Sequence, residues 1–313
     1  MSRRLPLFTC LLVLVSLLGV ACGDDDDAAT PGDTTEGAGV RVEIESSDLA
    51  LGLNRFLLTV TDSQGNDVLG ARLSLRFFFI DPNANNRKTI KNSATASPIE
   101  VSAPYTHTHA DGTEVEHAAG ETGVHVTEVA FDAAGDWVVE VTGSVTGGRL
   151  PLIEKEFEVR RDGLTPGVGD PAPASMQPVL SDVADISEID FSTEPNLETH
   201  DITIADAISS GRPSVIAFAS EGVCAIVICG PLKEVFDELW AGHQDEATFI
   251  HVEPYEQGGA PSVIAWIAEE WGMHSQPWIF VVDGNGRIAA KFLAVAGLDE
   301  LQSGLAAVVA AGA

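Results

Sequence analysis

Between residues 40 and 160 the apolar positions recur with a period of two, the spacing of a strand that buries one face. Val40-Arg41-Val42-Glu43-Ile44 alternates apolar and charged side chains. Phe56–Thr61 is a second such run, closed by the turn-forming Asp62-Ser63-Gln64-Gly65-Asn66. Ala71–Ile80 is a third, closed by Asp81-Pro82-Asn83. His125–Phe131 and Asp136–Thr142 read as a hairpin around Ala133-Ala134-Gly135, and Ile153–Val159 ends the series. Short strands with turn signals at roughly ten-residue spacing predict an all-β antiparallel sandwich over residues 40–160.

Beyond a Pro- and Gly-rich linker at 161–180 the period changes. Ser214–Ala219 and Ala247–Glu253 read as buried strands, and Pro277–Asp283 with Arg287–Ala294 as a hairpin across Gly284-Asn285-Gly286. Leu232–Trp240 is helical, because Leu232, Val235, Phe236, Leu239 and Trp240 fall on one helix face. Pro261–Trp271, with its proline in the first turn, and Leu298–Val309 are the other helices. The expected architecture is two domains, the sandwich followed by an α/β unit over residues 181–313.

The chain has 313 residues, enough for two such cores. Acidic residues outnumber basic ones 47 to 17, for a formal charge of −30. That balance excludes nucleic-acid binding, which needs basic surface to neutralise phosphates. It equally opposes an electrostatic grip on anionic lipid headgroups.

The first residues read as an export signal: Arg3 and Arg4 precede an apolar run, Leu5–Val20, too short for a comfortable membrane span. The following Leu18-Gly19-Val20-Ala21-Cys22 resembles the lipobox of bacterial lipoproteins, with Gly19 where leucine is usual. The resemblance implies cleavage before Cys22, a lipid anchor on that cysteine and a place in the bacterial cell envelope, facing periplasm or exterior. Residues 23–39, with Asp24–Asp27, are the acidic flexible tether. Cys10 is removed with the signal and Cys22 carries the lipid, so Cys224 and Cys229 are the thiols of the soluble part. In an oxidising compartment these two are expected to pair.

Two further resemblances follow. Glu121–Phe131, continuing through Ala134-Gly135-Asp136-Trp137, is similar to the end of YtkA-like immunoglobulin-type domains. It implies an extracytoplasmic sandwich and no particular chemistry. The order of elements over 181–313, the segment Gly169-Asp170-Pro171-Ala172-Pro173, and Cys229-Gly230-Pro231-Leu232-Lys233 resemble the thioredoxin and redoxin family. Phe218–Cys224 resembles the same family's run from strand to nucleophile, and Gly272–Pro277 its segment ending in an active-site proline. The resemblance implies a thioredoxin fold and thiol–disulfide exchange with a protein thiol or disulfide, with Gly230, Pro231 and Pro277 supporting Cys224 and Cys229. Val223, Ala217, Leu232 and Gln276 depart from the family pattern.

Geometry constrains the pair. Two positions five apart on one helix are separated by roughly 9 Å between Cα atoms, whereas a disulfide needs less than about 7 Å. A bridged pair therefore puts Cys224 in the loop and Cys229 at the first turn of the helix. Helix-terminal N–H groups favour Cys229 as the reactive thiolate, while family position favours Cys224. Three other readings use the same residues. A peroxidase would want Pro and Thr or Ser where Ala217 and Glu221 stand. Sco-type copper chaperones bind copper through two cysteines and a histidine, which makes His274 the candidate third ligand and copper a candidate cofactor. A static disulfide in a non-catalytic binding protein is the third. His251 reads as a strand residue of core or surface, and His107, His109, His117 and His125 as parts of the sandwich, the first two around a solvated hairpin turn.

Overall fold

The computed structural model describes residues 39–100, 105–108, 114–117, 122–145, 148–220, 229–255, 265–275 and 277–312. Alternation decides which face each strand of the first half buries. The strands are β1 (Arg41–Ile44), β2 (Gly52–Thr61), β3 (Arg72–Asp81), β4 (Arg87–Glu100), β5 (Tyr105–Thr108), β6 (Glu114–His117), β7 (Gly123–Phe131), β8 (Gly135–Val145) and β9 (Gly148–Val159). In β3 it is Leu73, Leu75 and Phe77 that point inward. They join Phe56, Phe131, Trp137 and Phe157, with Phe56 and Phe77 edge to face at 5.0 Å. Such pairs add about 0.5–1.5 kcal/mol beyond the area they bury.

Seven of these strands form one antiparallel sheet in the order β1-β2-β7-β4-β3-β8-β9. β5 and β6 form a separate two-stranded hairpin, with His107 opposite Val115. The strand that sets this topology is β4, whose sequence RKTIKNSATASPIE has no apolar alternation to announce it. Most of its length pairs with β3, Leu73 opposite Ala96 through Asp81 opposite Arg87. Its last residues pair with β7, Ser97 opposite Val126 through Glu100 opposite Gly123. A β1-β2-β7 sheet and a β3-β8-β9 sheet are thereby fused into one. The far ends then approach each other. Arg160 N–H donates to Leu49 O at 2.9 Å, and Leu51 N–H donates to Arg160 O at 3.0 Å. The sheet is a nearly closed barrel.

The second half contains α1 (Ile204–Ser210), β10 (Ser214–Phe218), α2 (Cys229–His243), β11 (Thr248–Val252), α3 (Trp266–Glu270), β12 (Trp278–Val282), β13 (Ile288–Leu293) and α4 (Leu298–Gly312). Its sheet has the order β11-β10-β12-β13; β10 and β11 are parallel, and β12 is antiparallel to both β10 and β13. Val215, Ala217, Phe249, Ile279 and Val281 meet α2 and α4 on one face. Ile216, Phe218, Ile250 and Phe280 pack on the other with Ile204, Trp271 and, from the barrel, Leu57 and Val124.

That shared core accompanies a correction to the expected fold class. The chain is not a two-domain β-sandwich followed by an α/β thioredoxin fold. It is mostly β, with 42% in strands, a nearly closed seven-stranded antiparallel sheet, and only four α-helices among the described residues. The physical reason lies in pairing. Period-two alternation says that a segment is a strand but not which neighbour satisfies its backbone, and the polar β4 satisfies two neighbours at once.

Two polar clasps join the halves within the compact unit Glu36–Ala313. Arg55 on β2 donates to both carboxylate oxygens of Glu300, at 3.2 and 2.9 Å, and to the carbonyls of Leu293 and Val295, at 3.0 and 2.6 Å. Asp48 accepts from Leu164 N–H at 2.6 Å, Thr165 N–H at 3.1 Å, Thr165 Oγ1 at 2.6 Å and Lys291 Nζ at 3.0 Å. The Pro- and Gly-rich segment 161–180 thus runs in contact with both. Gly272 is required beside it: its φ is +66°, and a Cβ there would sit 2.0 Å from the Leu164 carbonyl oxygen.

Candidate functional site

In an open sheet, parallel strands bring the loops that follow them to one edge, where ligand sites form. β10 and β11 are the parallel pair here. Residues 221–228, with Cys224, follow β10 and lie outside the described residues, as does Cys22. Cys229, Gly230 and Pro231 open the 15-residue helix α2. Proline fits that first turn because the N–H it lacks would have no intrahelical partner. The helix docks on the sheet through Leu232, Val235, Phe236 and Leu239. Pro277 is buried at the head of β12, its carbonyl accepting from Ala294 N–H at 3.0 Å. His274 is exposed in the loop between α3 and β12.

At the same end of the sheet the structure assembles a buried polar cluster. Phe249, His251 and Glu253 alternate along β11 and just beyond it. Phe249 meets Phe236 of α2, with ring centroids 5.7 Å apart. Where a further apolar side chain would continue that face stand His251 and then Glu253, both buried. Segment 180–203 covers them. It has no long element, only three-residue and four-residue 3-10 turns whose N–H groups are capped by Asp185 and Asn196. These turns bring in Asp190 and His200, both buried.

Asp190 Oδ2 meets His200 Nε2 at 3.0 Å and His251 Nδ1 at 3.1 Å. Its other oxygen accepts the Ser192 N–H at 2.8 Å and the Ser192 hydroxyl. His251 Nε2 lies 2.9 Å from the carbonyl oxygen of Ala219, just after β10, where the cysteine-bearing segment departs. A carbonyl oxygen only accepts, so that nitrogen carries a proton. The side chains of Asp190, His200 and His251 are 0%, 2% and 1% exposed, so all three are sealed from water.

The electrostatics follow from that burial. Desolvation alone would raise the Asp190 carboxyl, but the hydrogen bonds from His200, His251 and Ser192 outweigh it and hold Asp190 ionised far below the usual carboxylate range. Burial pushes His200 down, and Asp190 only partly restores it. For His251 the same burial is outweighed by Asp190 and the Ala219 carbonyl, so its pKa is raised. Burial pushes the Glu253 carboxyl up to about 7, against smaller opposing effects from Ser220 and His251. Lys233, buried one turn into α2, acts on both histidines while its ammonium pairs with Asp237 at 2.6 Å.

Sequence reasoning missed most of this cluster. His251 was expected in a strand, as core or surface, and Asp190, His200 and Glu253 were not singled out. The one available signal was chemical: two ionisable residues in the apolar run Phe249-Ile250-His251-Val252-Glu253. Asp190 and His200 carry no motif, because a segment without regular structure has no period to reveal its inward positions. In the barrel, His125 is a buried core residue, its Nε2 3.2 Å from the Ala71 carbonyl oxygen.

No protein-family model and no curated protein sequence matches this chain.

Proposed function

We propose that the mature chain works in the cell envelope, tethered by a lipid on Cys22, and exchanges disulfides with a protein partner through Cys224 and Cys229. The observation that carries this reading is the position of Cys229 as the first residue of α2. The unsatisfied N–H groups and dipole of a helix start stabilise a thiolate, the form that attacks and the form that leaves in exchange. Cys224, five positions earlier in the sequence between β10 and α2, is the second thiol of this reading.

The exchange balances in either direction. One thiolate attacks a partner disulfide, forms a mixed disulfide and releases a partner thiolate. The second cysteine then attacks that mixed bond, which leaves the pair oxidised and the partner with two thiols. Running the same steps backwards oxidises the partner. The excess of 47 acidic over 17 basic residues favours a protein partner over nucleic acid.

The test is a count of free thiols in the purified mature protein, before and after equilibration with a mild dithiol. The reading expects a pair that opens reversibly, and a mixed disulfide trapped when Cys224→Ser or Cys229→Ser removes the resolving thiol. A bridge that resists the dithiol, or thiols that never pair, overturns it in favour of a structural or idle pair.

A further inference from the structure

The cluster at the end of the parallel strands has the composition of a metal centre, and the exchange chemistry above makes no use of it. Asp190 Oδ2, His200 Nε2 and His251 Nδ1 converge so that the three atoms all lie within 4.8 Å of one another. We propose that these three atoms hold a divalent first-row transition cation, with Zn²⁺ as its natural fit, as a buried structural centre.

Four features support this. The first is the donor set: two imidazoles and one carboxylate suit zinc and its neighbours, whereas calcium and magnesium call for oxygens and Cu(I) for soft sulfur. The second is orientation. A ligating histidine turns its other ring N–H to a carbonyl or carboxylate, and His251 does so, with Nε2 2.9 Å from the Ala219 oxygen and Nδ1 aimed at the cluster. Asp190 is likewise oriented from behind, because Ser192 occupies the oxygen that does not face the histidines.

The third feature is charge. Glu253 is 7% exposed, and neither of its carboxylate oxygens has a partner of normal hydrogen-bond geometry. It lies close enough to act electrostatically on His251 and Asp190. A divalent cation at the three atoms offsets the buried carboxylate of Asp190, a charge that burial otherwise penalises. The fourth is accessibility. Ligands at most 2% exposed leave no route for a substrate, so the ion pins segment 180–203 to β11 and does not act as a Lewis acid for catalysis.

Zinc also binds cysteine thiolates, so the test uses the mature chain carrying Cys224→Ser and Cys229→Ser, stripped with a chelator and reloaded with Zn²⁺. One zinc per chain should survive gel filtration and raise the melting temperature. Both effects should disappear in His200→Gln and in His251→Gln. Co²⁺ in the same chain provides a readout that needs no ligand variant: weak visible d–d bands without the intense charge-transfer band of thiolate ligation. Absence of retained zinc, with melting unmoved by the metal, overturns the proposal and leaves a purely hydrogen-bonded cluster. Zinc retained equally by folded His200→Gln and His251→Gln overturns it in favour of another site. Thiol titration of the cysteine-containing chain is independent of this measurement, so either reading can fail alone.

Discussion

Replacing Asp48 by alanine tests whether the two halves are one cooperative structure. Its carboxylate, 3% exposed, takes four hydrogen bonds, from Leu164 N–H, Thr165 N–H, Thr165 Oγ1 and Lys291 Nζ. Alanine leaves the two amides and the Thr165 hydroxyl without this acceptor, and Lys291 loses its carboxylate partner while keeping Thr165 Oγ1 at 2.9 Å. Each buried unsatisfied donor costs about 1–3 kcal/mol, and breaking a buried ion pair from one side costs about 3–5 kcal/mol. Lys291 is 21% exposed and recovers some hydration, so the expected loss is near the lower end, about 3 kcal/mol. Against a typical domain stability of roughly 5–15 kcal/mol that is readily measured.

Urea denaturation of the protein, followed by far-ultraviolet circular dichroism and by tryptophan emission, provides the measurement. Both probes should shift together to a lower midpoint. The loss should also depend on pH with a defined sign. Burial raises the Asp48 carboxyl, but Thr165, Lys291 and Leu164 together pull it below its ordinary value. A carboxyl with a depressed folded pKa contributes stability that is present above the unfolded value of about 4 and is lost as pH falls through the folded value. The gap between parent and variant is therefore full at neutral pH and closes below about pH 4. A loss under about 1 kcal/mol at neutral pH, or a gap indifferent to acid, refutes the reasoning.

Other substitutions test separate parts of the argument. Arg55→Ala removes a bidentate pair with Glu300 and two carbonyl contacts; the expected loss is about 2–4 kcal/mol by chemical denaturation, with a smaller loss in Glu300→Gln. Gly143→Ala drives a Cβ to 2.1 Å from the Arg72 carbonyl oxygen, so β3 and β8 must part. That variant should lose about 2 kcal/mol or more, and amide exchange should quicken in β3 and β8 first. Phe77→Ala opens a cavity among Phe56, Phe131 and Phe157; about 3–5 kcal/mol should be lost, read as a lower melting temperature.

The sequence by itself determined which segments are strands and helices wherever burial imposes a period. β3 alternates Leu73, Leu75 and Phe77 inward, and α2 buries Leu232, Val235, Phe236 and Leu239 at helical spacing. It also set Cys224 and Cys229 five positions apart, a spacing that needs no fold to be read. What it could not contain is the pairing. β4 is exposed along most of its length and has no apolar stripe, yet its backbone joins β3 to β7 and turns an expected sandwich with a separate thioredoxin domain into a nearly closed barrel sharing a core with the second half.

The polar cluster was decided at the same level. Asp190, His200 and His251 are spread over 61 positions and meet only because segment 180–203 folds over the end of β11. A hydrophobic period records what each residue does against its own element. Backbone pairing between strands, and the convergence of polar groups from distant segments, depend on which surfaces finally face each other, and that is fixed by tertiary packing.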